Sequence, residues 1–566
     1  MKEIISAILQ NSLKKQVINL KKSEIENLIE IPPNSELGDY SFPCFSLSAK
    51  LKKNPNEIAL IIKQSIKKIP EELSEIQTKG PYLNFFVNKK MVAKSIVEEV
   101  LKQREKFGSL NYKGKIMIEF SQANTHKAFH VGHIRGTSLG ESLARIIEFA
   151  GNNLIRVNYQ GDSGMHVAKW IWCYKRFHSK EKLKQDESWI ASIYVDAVKR
   201  LSKNEKLQEE VNSINKKLSD KSDEQLNSLW EETRQLSLDS LEQIYHELNT
   251  HFDVYIFESE MEEKGKKIVE ELIKKKIAEK SEGAIIVDLK KYNLGVWVLL
   301  RKDGTVLYSA KDLALAEEKF RNFKIDKNIY VIGAAQSLHM AQLFKTLELM
   351  KFEKVKDCEF LPFAEIRLPT GKMSSRTGDN ILYSDFIKEM TDYSKKEIKK
   401  RFPLISQKEL EERALKISIA SIKYSLLKQN SSKLIVFKKE DALNFEGDSG
   451  AYLLYSYARA SSIIKKASKK IKNKFTINNN LEKQELELIK KFNQFKEIFQ
   501  NSYNNRNPSA IANYSYQLAQ LFNEFYHSCP VINSENESFR LALVESFRQV
   551  LKNSIYLLGI DVIEEM

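Results

Sequence analysis

An apolar run, Ile116-Met117-Ile118, passes through Glu119-Phe120-Ser121-Gln122-Ala123-Asn124-Thr125-His126-Lys127-Ala128-Phe129-His130-Val131-Gly132-His133 into a stripe of Leu139, Leu143, Ile146 and Ile147. The run reads as a buried strand and the stripe as an amphipathic helix, so both histidines stand where a strand becomes a helix. At such a turn of an α/β sheet the first helical amides lack partners and the helix dipole is positive, so phosphate binds there. His130 and His133 can add side-chain donors, and Gly132 leaves room for a flat ring against the backbone. Taken alone, two histidines at a helix start read equally well as surface or capping groups.

The surrounding pattern extends this junction into a nucleotide-binding fold. A strand at 116–120, a helix at 131–150 and a strand at 153–158 make one βαβ unit. After Gly161-Asp162-Ser163-Gly164 comes a charged, helix-prone insertion, about 168–280, whose Lys/Glu runs read as solvated helix faces. Apolar strand patterns return at 284–289, 296–300 and 329–333 and are expected to complete the sheet. Ahead of it, residues 1–110 read as a mixed unit. Ile4, Ile5, Ile8 and Leu9 make a helical stripe, Pro32-Pro33 breaks it, 45–67 reads as helix, and Leu83-Asn84-Phe85-Phe86-Val87 as a strand. From about 381 nearly everything is amphipathic helix with very few Gly or Pro, apart from a loop expected at 469–480. The fold expected is therefore multidomain α/β. It has a small α/β N-terminal domain (1–110), a Rossmann-type parallel-sheet domain with a helical insertion (111–394) and an all-α C-terminal bundle (395–566).

Charge and cysteine content narrow the function. The net charge of +15 favours an anionic partner, although a lysine-rich composition alone also produces it. Cys44, Cys173, Cys358 and Cys529 are far apart, which speaks against structural zinc and a disulfide framework and fits a reducing cytoplasm. No apolar run reaches membrane-spanning length, and the start, with Glu3, lacks a signal-peptide core.

Downstream lies Lys372-Met373-Ser374-Ser375-Arg376, set among Gly371, Thr377 and Gly378. The histidine stretch and this one, in this order, resemble the two signatures of class I aminoacyl-tRNA synthetases, which activate an amino acid with ATP. The resemblance sharpens to arginyl-tRNA synthetases and covers essentially the whole chain. It is carried by Glu119 and Asn124, by Asp303-Gly304-Thr305-Val306-Leu307-Tyr308-Ser309-Ala310-Lys311-Asp312, and by Tyr330-Val331-Ile332-Gly333-Ala334-Ala335-Gln336-Ser337-Leu338-His339. Gly447-Asp448-Ser449-Gly450-Ala451-Tyr452-Leu453-Leu454-Tyr455 and the ending at Met566 complete it, and Gly80-Pro81-Tyr82 with the strand after it resembles the family's N-terminal domain.

That resemblance implies ATP with Mg2+, L-arginine and tRNA(Arg) as partners, no metal held by protein ligands, and a monomer as sufficient. It implies that Tyr308 and Asp312, with Glu119, hold the guanidinium, while Asn124 and Gln336 hold the ammonium and carboxylate. His130, Gly132, His133, Lys127, Lys372 and Ser374 would serve ATP. Tyr452, Tyr455, Arg459, Tyr526 and Met566 would meet the anticodon, and Asn84 and Phe86 the D-loop. Planar carboxylates suit a flat, five-donor cation, and Tyr308 and Asp312 share a face if that turn is helical.

The chain departs from the family pattern in two places. Ser375 replaces the second lysine of the later signature, and Lys127 stands where a compensating lysine occurs. Gln122 and Ala123 replace the usual Ser and Pro before Asn124. Alternatives are a lysyl or glutamyl synthetase and a non-catalytic tRNA-binding paralogue. The Tyr308/Asp312 pair disfavours glutamate, which would want a cationic pocket, and the presence of His130, His133 and Lys372 disfavours the paralogue.

Overall fold

The computed structural model describes residues 1–367, 382–467 and 475–566. The chain forms two compact units, one of Met1–Arg104, Ala467–Asn493 and Glu524–Ser546, the other of Glu105–Lys466, Gln494–Asn523 and Phe547–Met566.

In the first unit a three-stranded antiparallel sheet runs in the order Tyr40–Pro43, Tyr82–Val87, Leu73–Lys79. Alternation along Tyr82–Val87 sends Leu83 and Phe85 into a core with Ile5, Leu9, Leu13, Ile58 and Ile62. The helix expected at 45–67 is broken. A 3-10 turn at Phe45–Leu47 and a short helix at Ser48–Leu51 end at Lys52, whose φ is +50°. A new helix, Pro55–Ser65, then starts under an Asn54 cap that accepts from Asn56 N–H. Pro55 suits the first helical position because its missing N–H would have had no partner there.

The second unit holds a five-stranded parallel sheet in the order Cys358–Phe363, Lys327–Gly333, Lys115–Glu119, Asn153–Gln160, Val254–Phe257. The helix Val131–Phe149 links its third and fourth strands. Three expectations change. Val254–Phe257 belongs to this sheet, so the insertion ends before it rather than near 280. Ala284–Asp288 and Val296–Leu300 do not join it but pair antiparallel, with Glu279–Ser281, in a separate sheet. The sequence carries the reason: Trp297 and Leu299 are buried while Val296 and Val298 are exposed, the one-sided pattern of an antiparallel sheet, whereas central parallel strands are covered on both faces. The unexpected edge strand Cys358–Phe363 contains Pro362, which an edge tolerates.

The insertion packs the helices Met165–Cys173, Glu187–Lys203, Gln208–Ser219 and Glu224–Glu247 around Trp170, Trp172, Ile193 and Leu226. Beyond residue 381 the long elements are helices, as expected, although the 394/395 boundary falls inside Tyr383–Arg401. Among the described residues no helix is long and apolar enough to cross a membrane.

Candidate active site

The loop between Lys115–Glu119 and Val131–Phe149 is held in an uncommon backbone path. Ser121, Gln122 and His126 have φ of +75°, +49° and +60°, which for side chains other than glycine costs free energy that neighbours must offset. They do so by hydrogen bonding. Ser121 Oγ meets Tyr245 Oη at 3.1 Å and accepts from Thr137 Oγ1 at 2.9 Å. His126 sits fully buried between Thr125 Oγ1 and Thr233 Oγ1, each at 2.9 Å, and burial drops its pKa to about 3.

At the helix start the two signature histidines cap the backbone. Gly132 N–H donates to His130 Nδ1 at 3.1 Å, and His130 N–H donates to His133 Nδ1 at 3.2 Å. Both Nδ1 atoms therefore accept, so in the neutral rings each proton resides on Nε2, which is left as a donor. Burial keeps both rings neutral, with His130 lowered to about 4 and His133 well below its usual value. The flat ring that Gly132 admits is His130's own, since a Cβ there would lie 2.9 Å from it. Lys127 lies over the Tyr194 ring at 5.6 Å. Burial lowers its pKa, Glu258 opposes that, and its charge in turn depresses both histidines.

Beside this turn opens a cavity of about 440 Å³ whose walls include Glu119, Asn124, Tyr308, Asp312 and Gln336. The helix Tyr308–Phe323 begins at Tyr308, so Asp312 stands one turn further along the same face. Trp297 Nε1–H donates to His339 Nδ1 at 3.3 Å, which leaves the proton on Nε2 to donate to Asp312 Oδ2 at 2.6 Å. The Tyr308 ring lies 4.7 Å from His339, while its own surface is largely exposed. Asn124 approaches Gly161 so closely that a Cβ on that glycine would clash with Asn124 Oδ1. Gln336 is exposed at the end of the turn Ala334–Gln336.

Glu119 differs from expectation. It is 2% exposed and ion-paired to the wholly buried Lys319, whose ammonium also lies 4.4 Å from the Tyr330 ring centroid. A carboxylate buried this deeply needs a counter-ion, which Lys319 supplies at Oε2, while Oε1 accepts from Gln122 and the residue still lines the cavity. The second acid available to the cavity is Glu258, at the first helical position after Val254–Phe257. Lys311 Nζ is 3.6 Å from Glu258 Oε2 and also donates to Ser163 Oγ. Burial raises Glu258 to about 7, Lys311 opposes the rise, and Asp312 and Asp162 add to it.

Sequence reasoning missed Glu258, His339 and Lys319. Lys319 had a signal, because Tyr308, Asp312, Leu315 and Lys319 form one helical stripe, and His339 follows Gln336 by a turn. Glu258 had none once its strand was assigned to the insertion.

The remaining expected residues lie elsewhere. Lys372, Ser374 and Ser375 fall outside the described residues, as does much of the 469–480 loop. Tyr452, Tyr455 and Arg459 share one half-buried stripe of Gly450–Lys466, where Arg459 donates to Tyr455 Oη at 2.8 Å and Asn523 to Tyr452 Oη at 2.8 Å. Tyr526 is exposed, and Phe86 and Met566 are half-buried. Asn84 is not at the surface: it is 4% exposed and takes a hydrogen bond from Ser41 Oγ at 2.7 Å, which leaves it little to offer a base. Cys173, His178 and Asp196 cluster as metal ligands could, but Asp196 Oδ2 already meets Cys173, His178 and Arg200. The guanidinium supplies the positive charge that an ion would bring.

Comparison with known proteins bears on the family and the fold. Residues 96–438 match the family described as tRNA synthetases class I (R), catalytic domain. Residues 3–87 match the arginyl tRNA synthetase N terminal domain, and 453–566 the DALR anticodon binding domain. The arginine–tRNA ligase of Clostridium perfringens is 38% identical over 559 residues, 98% of each chain. That of Clostridium acetobutylicum is 36% identical over 558 residues, 97% of this chain and 98% of the relative. The solved Thermus thermophilus arginyl-tRNA synthetase shares the fold at a TM-score of 0.75 and 24% identity, covering 100% of both chains.

Proposed function

Because this chain belongs to the arginyl-tRNA synthetase family and is an arginine–tRNA ligase, we propose that the cavity beside the histidine turn is where L-arginine is selected. Asp312, Glu258 and Tyr308 take the guanidinium, and Asn124 and Gln336 orient the ammonium and carboxylate. The observation that carries this is Asp312 in the cavity wall, held by the hydrogen bond to His339 Nε2. Around it Glu119 pairs with buried Lys319 and Glu258 with Lys311, which also donates to Ser163, whereas among the described residues no lysine or arginine pairs with Asp312. A planar cation with five donors completes such a site, whereas the compact ammonium of lysine would leave acceptors unmatched.

At the neighbouring turn the Nε2–H groups of His130 and His133 donate to ATP phosphate oxygens, and Lys127 adds positive charge. Lys372 and Ser374 act on the leaving pyrophosphate. The arginine carboxylate attacks the α-phosphorus, pyrophosphate leaves, and a ribose hydroxyl of the terminal tRNA adenosine then displaces AMP. No protein nucleophile is needed, so catalysis is positioning and charge stabilisation. Magnesium would arrive on the ATP phosphates and supply further positive charge. Tyr452, Tyr455, Arg459 and Met566 are candidates for meeting anticodon bases by stacking and hydrogen bonding, and Tyr526 is a separate candidate. Phe86 remains the candidate for the D-loop, and the enzyme works as a cytoplasmic monomer. ATP-dependent charging of total tRNA with each amino acid in turn tests the assignment. Arginine alone should be esterified, and efficient charging with lysine would overturn the reading of the cavity.

A further inference from the structure

In the parallel sheet Glu119 pairs with Tyr330 on one side and with Val157 on the other. Paired residues of neighbouring parallel strands share a face, and side chains alternate along each strand, so Tyr159 comes up on the face that carries Glu119 and Tyr330. There Leu315 of the helix Tyr308–Phe323 packs with Val157, Tyr159 and Ile256. Tyr159 is the last residue but one of its strand, and the C-terminal ends of parallel strands are where such sheets take ligands. The cavity opens at that end, with Glu119, Tyr159, Glu258, Asp312 and Tyr330 in its walls.

The acids in these walls have partners: Glu119 has Lys319 and Gln122, Glu258 has Lys311, and Asp312 has His339. Tyr159 differs. It is 9% exposed, and among the described residues no group hydrogen-bonds its buried Oη. Burial raises the hydroxyl's pKa well above its usual value, and the charges of Asp312, Glu258, Glu119 and Asp162 add to the rise. The group is therefore a protonated hydroxyl standing among carboxylates. A buried hydroxyl without a partner costs stability, and a phenylalanine would pack the same ring without that cost. A hydroxyl also has one hydrogen to give and lone pairs to receive, so it can donate to a carboxylate while accepting from a cation's N–H. Arginine brings N–H groups to this depth on a planar fork, whereas the ammonium of lysine ends a bond short and has no fork.

We propose that Tyr159 is a further specificity-determining residue for arginine, its hydroxyl accepting an N–H of the guanidinium at the cavity floor and donating to a neighbouring carboxylate. This rests on the reading of the cavity as the arginine site. The substrate is the partner that the protein itself does not provide, so the stability given up in the free enzyme returns as affinity when arginine binds.

The test uses the full-length enzyme with Tyr159→Phe, which keeps the ring and removes only the hydroxyl, alongside Asp312→Asn. Charging kinetics, arginine affinity by calorimetry and the melting temperature without ligand are measured. Tyr159→Phe should weaken arginine binding about tenfold to hundredfold, the worth of a hydrogen bond to a charged group, while KM for ATP stays within about twofold. Its melting temperature should hold or rise, because the free protein loses an unmatched polar group. Damage to packing would instead lower affinity and melting temperature together. Unchanged arginine affinity in Tyr159→Phe, or a lower melting temperature, overturns the proposal. Asp312→Asn tells the two failures apart. If it too leaves arginine affinity unchanged, the reading of the cavity fails; if it alone weakens arginine, the cavity stands and Tyr159 serves only to pack.

Discussion

At the histidine turn the capping contacts join near neighbours: Gly132 to His130, and His130 to His133 three residues away. In the adjoining cavity Asp312 meets His339, Lys319 meets Glu119 200 residues away in sequence, and Lys311 meets Ser163 across 148. The turn, proposed to bind phosphate, is written in a short run and holds neutral donors. The cavity, proposed to select the arginine side chain, is assembled from distant elements. Chemistry that many enzymes share can be encoded locally, whereas selectivity here depends on long-range packing.

The largest expected effect falls on the cavity. Asp312→Asn removes a charge from the proposed guanidinium pair, which costs about 3–5 kcal/mol when one partner of a buried pair is lost. Steady-state kinetics should show kcat/KM for arginine collapsing while KM for ATP barely moves; equal losses for both substrates would erase the distinction between the two regions. Next comes Lys127→Ala at the turn, expected to cost about 2–4 kcal/mol in kcat with both KM values nearly unchanged, as for other preorganised charges. Adding Ser375→Lys should restore rate if the two positions supply the same charge, and a normal kcat in the single variant would make Lys127 an ordinary loop lysine.

A smaller effect is the pH response of arginine use. Glu258 is raised to about 7, so it is neutral below that pH and gives the guanidinium no charge. Accordingly, kcat/KM for arginine should rise by up to about tenfold per unit as pH climbs toward 7 and then level off. Glu258→Gln should flatten that limb; a limb that survives the substitution belongs to another group. Least of all should change at the turn, because His130, lowered to about 4, and His133, lower than usual, stay neutral. A kcat/KM for Mg-ATP that is flat between about pH 6.5 and 8.5 would sharpen the contrast.

What the sequence made legible follows the same division. The strand 116–120, the helix after it and the two histidines were readable because period and spacing are local properties. Tyr308 and Asp312 were readable as one helical turn. The sheet's outer strands were not: Val254–Phe257 is four residues long amid charged helices, and Cys358–Phe363 contains a proline. The Lys319 partner of Glu119 was not legible because only the fold brings it there, nor was the burial of Asn84 against Ser41. Which buried charges pair across long stretches of chain is a tertiary fact that local spacing does not record.

The hydrogen bond from Trp297 to His339 has a consequence for accuracy. By fixing which ring nitrogen carries the proton, it makes His339 the donor and Asp312 Oδ2 the acceptor, so the carboxylate is turned to the cavity as an acceptor for a substrate's donors. A urea analogue of arginine, with an oxygen where the guanidinium has a donor, would set lone pair against lone pair. Sites built to bond a particular group reject its absence by roughly 10⁴–10⁵. On the proposed reading, discrimination against that analogue is made at the moment of binding.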